Sequence, residues 1–290
     1  MSGREPDLAV VYLVWGPLGP EPVREFINSY TRHPPGISHE LVVLLNGVEA
    51  QQRAALLAPL AGVAHTLLEL EEPVQDLAAY ARAAVLLEHE LVCCLNTYSV
   101  ILADGWLNTL ARATLLPDVG LAGASGSWES QAEWRRGQAR HWLRHLSAAR
   151  TLRRDFPRFP NPHLRTTAFA IERQLLVELD LERASEKYVA YLLESGRQSI
   201  TRMVQDCGLR VLVAGRDGRV YDPPQWARSA TYRSGAQQNL LVADRRTRDF
   251  SQASPRARKR LSRDAWGRSR AGEPLSVAAV QPTEPGASKP

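Results

Sequence analysis

The chain has 290 residues, of which 44% are hydrophobic and 23% charged, so it can bury the core of one large domain. Its net charge of +5 is uneven, since residues 245–270 carry +8 and residues 1–244 carry −2. No apolar run approaches the ~20 residues that span a bilayer, and residues 1–7 lack the apolar core of a signal peptide. We therefore expect a cytoplasmic protein, and leave open a peripheral contact with the inner face of the membrane.

The three cysteines are Cys93, Cys94 and Cys207. Their spacing matches neither a zinc site nor a disulfide framework. We interpret all three as small buried apolar residues of a reduced, cytosolic protein.

Short apolar runs predict strands, and segments with helical spacing separate the first three of them. The predicted strands are Leu8–Trp15, Leu41–Leu45, Leu91–Leu95, Val119–Ala122, Ala168–Ile171 and Val211–Ala214, and the predicted helices are Pro22–Tyr30, Ala50–Leu60 and Val74–Glu88. This alternation predicts an α/β fold with a mainly parallel, Rossmann-like sheet flanked by helices. Such sheets bind ligands at the carboxyl ends of their strands.

Composition divides the chain into a folded domain and two tails. We expect a disordered segment at residues 1–7, a domain at 8–250 and a disordered tail, rich in Arg, Pro and Ser, at 251–290. The basic tail leaves open contact with a membrane or a nucleic acid, although we expect no specific nucleic-acid partner.

Residues 128–165 form a basic and aromatic insertion within the predicted domain. Arg136, Arg140 and Arg144 make an i, i+4 stripe there. The stripe is either a solvated helix face or a surface for an anionic lipid or a phosphorylated acceptor.

Four stretches carry a family resemblance. They are "LAVVYLVWGP" with "ELVVLLNG", then "LVCCLNTYSVILADGWLNTL", then "VGLAGASGSWES", and finally "NPHLRTTAFAIERQLLVEL" with "YLLESGRQSITRMVQDCGLRVLV". In their order they resemble the bacterial GT-A-fold glycosyltransferases of family 2, over roughly residues 8–244. The resemblance implies a transferase that moves a hexosyl or deoxyhexosyl group, with inversion, from a nucleotide-diphosphate sugar to a hydroxyl acceptor. The acceptor would be a surface or secreted polysaccharide or a lipid-linked sugar.

The resemblance also implies roles for single residues. Glu194 falls where the family places its catalytic base, which deprotonates the acceptor hydroxyl. Gly16 and Asn46 follow the first two strands on the donor side, and the amide of Asn46 stands where the family has an acid that holds the nucleotide base. The small residues of "VGLAGASGSWES" would let backbone N–H groups approach a ligand.

The third predicted strand ends in a tip that differs from the family. Asn96, Thr97, Tyr98 and Ser99 occupy the place of its DxD motif, whose carboxylates hold Mg²⁺ or Mn²⁺. Neutral groups are poor sole ligands for a hard dication, so we predict that the tip contacts the donor by hydrogen bonds and that the protein itself provides no metal site. Metal dependence is left open, and Asp104 is interpreted as a helix cap.

Without a metal, the charge on the leaving diphosphate needs another source of stabilisation. Positively charged hydrogen-bond donors provide the same electrostatic effect. We predict Arg165 and Arg233 on the donor side, and His163, Arg197 and Trp128 as contacts to acceptor or phosphate. Two alternatives stay open: a non-catalytic relative that binds a glycan or a protein, and a nucleic-acid binder that uses the tail.

Overall fold

The structure, a computed structural model, describes residues 6–133, 151–183 and 186–267. The strands are β1 (Leu8–Trp15), β2 (Glu40–Asn46), β3 (Thr66–Glu69), β4 (Leu91–Leu95), β5 (Val100–Ile101), β6 (Val119–Gly123), β7 (Gly126–Ser127), β8 (His163–Leu164), β9 (Ala168–Glu172), β10 (Arg210–Ala214), β11 (Val220–Tyr221) and β12 (Val242–Ala243). The α-helices with defined bounds are α1 (Glu21–Arg32), α2 (Ala50–Leu57), α3 (Asp76–Leu86), α4 (Trp106–Thr114), α5 (Arg173–Glu178), α6 (Lys187–Ser195), α7 (Ile200–Asp206), α8 (Arg245–Gln252) and α9 (Pro255–Trp266).

The core is an eight-stranded sheet in the order β11-β10-β6-β9-β4-β1-β2-β3. Its neighbouring strands are parallel except at β9, which is antiparallel to β4 and β6, and at β11, which is antiparallel to β10. The predicted mainly parallel sheet, flanked by helices, is therefore confirmed. Because β9 runs backwards, its first residue, Ala168, lies opposite Leu95 at the end of β4. The segment before β9 thus reaches the edge where the parallel strands end.

Alternate residues of β1 enter two separate hydrophobic layers. Ala9, Val11 and Leu13 pack with α3 and the helices after β9, while Val10 and Tyr12 pack with α1 and α4. Both faces are buried, which explains why the sequence of β1 is a continuous apolar run. Each fully buried aliphatic side chain stabilises the fold by about 1.5–3 kcal/mol.

The six predicted strands all form, but the edge strand β3 was missed and two local predictions are wrong. The edge strand β3 was not predicted, because only one of its four residues is even partly buried and it lacks an apolar pattern. Cys207 is exposed, although Cys93 and Cys94 are buried as expected. Asp104 does not cap α4, whose N-cap is Gly105, but instead pairs with His33 at 2.7 Å.

The prediction of a disordered tail is wrong for residues 251–267. Ser254 caps α9 and Pro255 begins it, which is a favourable start for a helix. At its other end the Trp266 indole donates to Tyr232 O at 2.8 Å, and the backbone of Ala265 accepts from Trp128 N at 3.1 Å. Residues 268–290 lie outside the described residues.

Two other domain predictions are only partly open to comparison. At the N-terminus, the carbonyl of Asp7 accepts from the backbone of Glu90 and Leu91, so residue 7 is ordered by the sheet. The arginine stripe of the predicted insertion falls at 134–150, outside the described residues. Within the described residues, no helix is long and apolar enough to cross a membrane.

Candidate functional site

The tip that follows β4 is a turn held by its own hydrogen bonds. Asn96 Oδ1 accepts from Tyr98 N and Ser99 Oγ, both at 3.2 Å. Thr97 ties the tip to β1, since its Oγ1 accepts from Trp15 N at 3.1 Å and its carbonyl accepts from Tyr12 Oη at 3.0 Å. Thr97 and Ser99 are buried, whereas Asn96 and Tyr98 are partly exposed. Of the four predicted donor contacts, Asn96 and Tyr98 therefore keep accessible surface.

Hydrogen bonds to the segment before β9 connect Glu194 with this tip. Its Oε1 accepts from Thr166 Oγ1 at 3.4 Å, and the next carbonyl, Thr167 O, accepts from Asn96 N at 3.0 Å. Burial and the negative charge of Asp76 raise the pKa of Glu194, against the opposing charges of Arg246 and Arg165. A carboxylate held in this way binds a proton more readily than an exposed glutamate, as a general base requires.

Asp76 is a second acid at the site that the sequence analysis missed. It is the first residue of α3, and burial raises its pKa to about 6. In sequence it resembles an ordinary first-turn helix acid. Only the packing of α3 against the sheet brings its charge close to Glu194.

Arg165 is buried in a charge pair and not free to meet a ligand. Its Nη2 donates to Asp244 Oδ2 at 2.5 Å, and the two side chains are only 7% and 5% exposed. The guanidinium also lies 4.2 Å from the ring centroid of Tyr232. Asp244 is the N-cap of α8 and accepts from Thr247 N at 2.8 Å. The predicted donor-binding role of Arg165 is therefore corrected to a positioning one: it fixes the start of α8.

Arg233 is committed to another acid that the sequence analysis missed. Its Nη1 donates to Glu129 Oε1 at 2.5 Å, and its guanidinium lies 4.9 Å from the ring centroid of Tyr232. Burial would raise the pKa of Glu129, but the charges of Arg233, Arg246 and Arg165 hold it below its usual range. The positive charge of Arg233 is thus largely compensated, which argues against its predicted contact with the donor.

Arg245 and Arg246 are exposed cations close to these groups, and the sequence analysis did not single them out. They open α8 directly after its cap, Asp244. Arg245 lies 6.0 Å from the ring centroid of Tyr98 at the β4 tip. Arg246 acts electrostatically on Glu194 and Glu129, although its own side chain is exposed. A helix N-terminus with two arginines favours an anion.

His163 is buried and neutral, which corrects its predicted role as a positive phosphate contact. Its Nδ1 donates to the carbonyl of Asn161 at 2.8 Å, so the Nε2 atom carries the lone pair. Burial lowers the pKa of His163 to about 4, against the raising effects of that hydrogen bond and of Glu129.

Gly16 and Asn46 have structural roles, and their predicted donor contacts are not supported. A Cβ on Gly16 would lie 2.2 Å from Gly47 O, so the glycine permits two turns to touch. Asn46 is fully buried, and its amide both donates to Val74 O at 2.8 Å and accepts from Val74 N at 3.1 Å. It fixes the loop before α3.

Trp128 and Arg197 also make contacts within the protein. The Trp128 indole donates to Pro223 O at 2.9 Å and its ring packs edge-on against Trp266 at 5.5 Å. Arg197 Nε donates to Arg154 O at 2.8 Å. The small residues after β6 also serve packing, since a Cβ on Gly126 would lie 2.4 Å from the Trp226 ring.

The donor atoms at the β4 tip do not fit a divalent cation. An amide, two hydroxyls and a phenol offer no carboxylate, whereas Mg²⁺ and Mn²⁺ favour carboxylate oxygens. In the part of the chain that is described, no three His, Cys, Asp or Glu side chains gather as a possible metal centre.

No known family model matches the chain, and no curated protein matches it. Among solved structures, it is similar to a mannosyltransferase from Pyrobaculum calidifontis in complex with GDP-mannose and Mn²⁺, at 16% identity and a TM-score of 0.45, over 78% of this chain and 60% of that one. It is also similar to GalNAc-T7 with UDP, GalNAc and Mn²⁺, at 13% identity and a TM-score of 0.48, over 89% of this chain and 52% of that one.

A third similar structure is the glucosyl-3-phosphoglycerate synthase of Mycobacterium tuberculosis with Mn²⁺, UDP and phosphoglyceric acid. Its identity is 16% and its TM-score 0.37, over 59% of this chain and 57% of that one. The chain thus spans between half and two thirds of the length of these proteins. Likenesses this remote establish neither the family nor the activity of the chain.

Proposed function

We propose that the protein is a glycosyltransferase that moves a sugar from a nucleotide-diphosphate donor to a hydroxyl acceptor, with Glu194 as its general base. The observation that carries the proposal is the position of Glu194, a partly buried carboxyl of raised pKa beside the β4 tip and within the field of Arg246. The order of the sequence motifs supports the same activity. A GT-A fold, an inverting mechanism and the sugar and acceptor types named above belong to this proposal.

The proposed chemistry uses Glu194 as the base and the arginines of α8 as the cations that meet the leaving group. Glu194 accepts the proton of the acceptor hydroxyl while that oxygen attacks the anomeric carbon in line. The bond from the anomeric carbon to the diphosphate oxygen breaks, and the electron pair leaves with the nucleoside diphosphate. Arg245 and Arg246 stabilise the charge that develops there through charge-assisted hydrogen bonds.

Nucleotide binding tests the donor site first. We expect isothermal titration to detect UDP, GDP or dTDP both with and without Mn²⁺. Arg246→Ala should weaken that binding about tenfold or more, the equivalent of about 1.4 kcal/mol for one charge-assisted contact. The matched control is Arg256→Ala, which removes an exposed arginine from α9. If none of the three nucleotides binds, the proposal of a donor site is refuted. If binding strictly requires Mn²⁺, only the proposal of a metal-free donor site is refuted.

Loss of the base tests catalysis separately. Glu194→Gln should leave nucleotide affinity unchanged, because the carboxylate is assigned to the acceptor, and should abolish transfer. Unchanged turnover in this variant refutes the base assignment. The alternative, a non-catalytic protein that binds a glycan or a protein partner, predicts that the pure chain does not hydrolyse a nucleotide sugar even slowly.

A further inference from the structure

A pocket lies beyond the end of β10, among loops that the proposed function does not use. Its volume is about 450 Å³, which falls within the roughly 300–1,000 Å³ of small-molecule sites. Its lining residues all come from the stretch between β10 and β12; they are Arg216, Asp217, Tyr221, Arg228, Ser229, Ala230, Gln238 and Asn239. None of them is assigned above to the nucleotide or to the base, so the pocket is a separate candidate site.

Asn239 is buried and holds the loops around the pocket together. Its Nδ2 donates to Ser229 O at 2.9 Å and to Tyr221 Oη at 3.2 Å, and its Oδ1 accepts from Asp217 N at 2.8 Å. Both donors of the amide are therefore used within the protein. Because these bonds fix three parts of the wall, the pocket is formed before a ligand arrives, which favours affinity.

Ala230 lines the pocket in a backbone conformation that residues other than glycine rarely adopt. Its φ is +54°, in the left-handed region. Its carbonyl accepts from Asn239 N at 3.3 Å, so the same buried asparagine holds it there. Strained residues that their surroundings keep in place cluster at ligand sites, which supports a binding role for this pocket.

The charged groups of the pocket favour an anion that also carries hydroxyl groups. Arg216 is exposed, and its guanidinium forms no hydrogen bond or ion pair with another residue that the structure describes. Arg228 gives the lining a second positive charge. Burial would raise the pKa of Asp217, but hydrogen bonds from Tyr221 Oη at 2.7 Å and Arg219 N at 3.1 Å hold it below its usual range. The lining thus combines a net positive charge with one ionised carboxylate.

We propose that this pocket binds a small soluble phosphate monoester that carries hydroxyl groups, such as a phosphorylated polyol. The planar fork of Arg216 matches two phosphate oxygens, and the charge of Arg228 adds to the attraction. Each oxygen of Asp217 accepts one hydrogen bond from the protein and can accept another from a hydroxyl of the ligand, as can the amide oxygen of Gln238. The inference goes beyond the proposed glycosyl transfer and does not depend on it.

Isothermal titration of the full chain with three probes tests this pocket. The probes are glycerol 3-phosphate, inorganic phosphate and glycerol. We expect saturable binding of glycerol 3-phosphate, weaker binding of phosphate and no binding of glycerol, because the arginines provide most of the attraction. Arg216→Ala should weaken the binding of glycerol 3-phosphate about tenfold or more, as expected for the loss of a charge-assisted contact. Arg216→Lys should recover part of that loss, since it keeps the charge but not the fork.

The matched control is Arg219→Ala. Arg219 is exposed and belongs to the same turn as Arg216, but it does not line the pocket. Its loss should change the affinity for glycerol 3-phosphate by less than about twofold, as for a solvent-screened charge. UDP or GDP should not displace glycerol 3-phosphate, since the nucleotide is assigned to the β4 tip and the start of α8. The proposal is overturned by a lack of saturable binding, by equal losses in Arg216→Ala and Arg219→Ala, or by displacement with nucleotide. Nucleotide binding measured on its own then still decides the donor site.

Discussion

Arg165→Met breaks the buried ion pair with Asp244 and leaves a carboxylate without its partner at a site that is 5% exposed. Removing one partner of a buried pair typically costs about 3–5 kcal/mol, because the remaining charge is desolvated and uncompensated. For a chain of this size we expect the melting temperature to fall by about 6–20 °C. Thermal unfolding followed by circular dichroism measures the effect.

A surface ion pair provides the matched control. Arg210 and Asp222 form a pair at 3.0 Å with side chains 46% and 45% exposed, so Arg210→Met should cost about 0–1 kcal/mol. The double variant Arg165→Met with Asp244→Asn should recover much of the loss, since it leaves no unpaired charge. The reasoning is refuted if Arg165→Met costs no more than Arg210→Met.

The buried Arg165–Asp244 pair predicts that the stability of the fold depends on pH. Burial would raise the pKa of Asp244, but Arg165 and the backbone of Thr247 hold it below its usual range. Its stabilisation is therefore complete above the unfolded pKa, about 3.9, and is lost as the pH falls through the lower folded value. The stability difference between the wild-type chain and Asp244→Asn should narrow only below about pH 4.

Two further predictions concern protonation. His163, with a folded pKa of about 4, should stay neutral in NMR titrations down to pH 5. Because that pKa lies below the unfolded value near 6.5, the chain should lose about 3 kcal/mol of stability as the pH falls from about 6.5 to 4, and His163→Gln should lose less. Glu194 has a raised folded pKa, so at pH 7 its charge opposes folding; Glu194→Gln should melt no lower than the wild-type chain. The transfer rate of the wild-type chain should fall as the pH decreases. The midpoint of this fall should lie above the usual glutamate pKa of about 4.3. If the transfer rate falls only at or below about pH 4.3, the role of Glu194 as the base is contradicted.

The sequence by itself indicated six of the strands and the mainly parallel type of the sheet. Buried parallel strands need apolar residues on both faces, and Leu8–Trp15 and Leu91–Leu95 have the same bounds in the structure as in the prediction. The family resemblance also singled out Glu194 and the β4 tip, and their roles stay predictions. The exposed edge strand β3 lacks such an apolar pattern and was missed. Helix α9 was also missed, because it lies in a basic segment that resembles a disordered tail.

Only the tertiary structure decided which polar groups are available to a ligand. Arg165 and Arg233 look like free cations in sequence, but each is paired with an acid far along the chain, Asp244 and Glu129. In sequence, Arg245 and Arg246 belong to a strongly basic segment without a predicted role, yet the reversed strand β9 and the Arg165–Asp244 pair bring the start of α8 to the β4 tip. The physical reason is that charge compensation and desolvation depend on partners distant in sequence, whereas strand formation follows from the period of neighbouring residues.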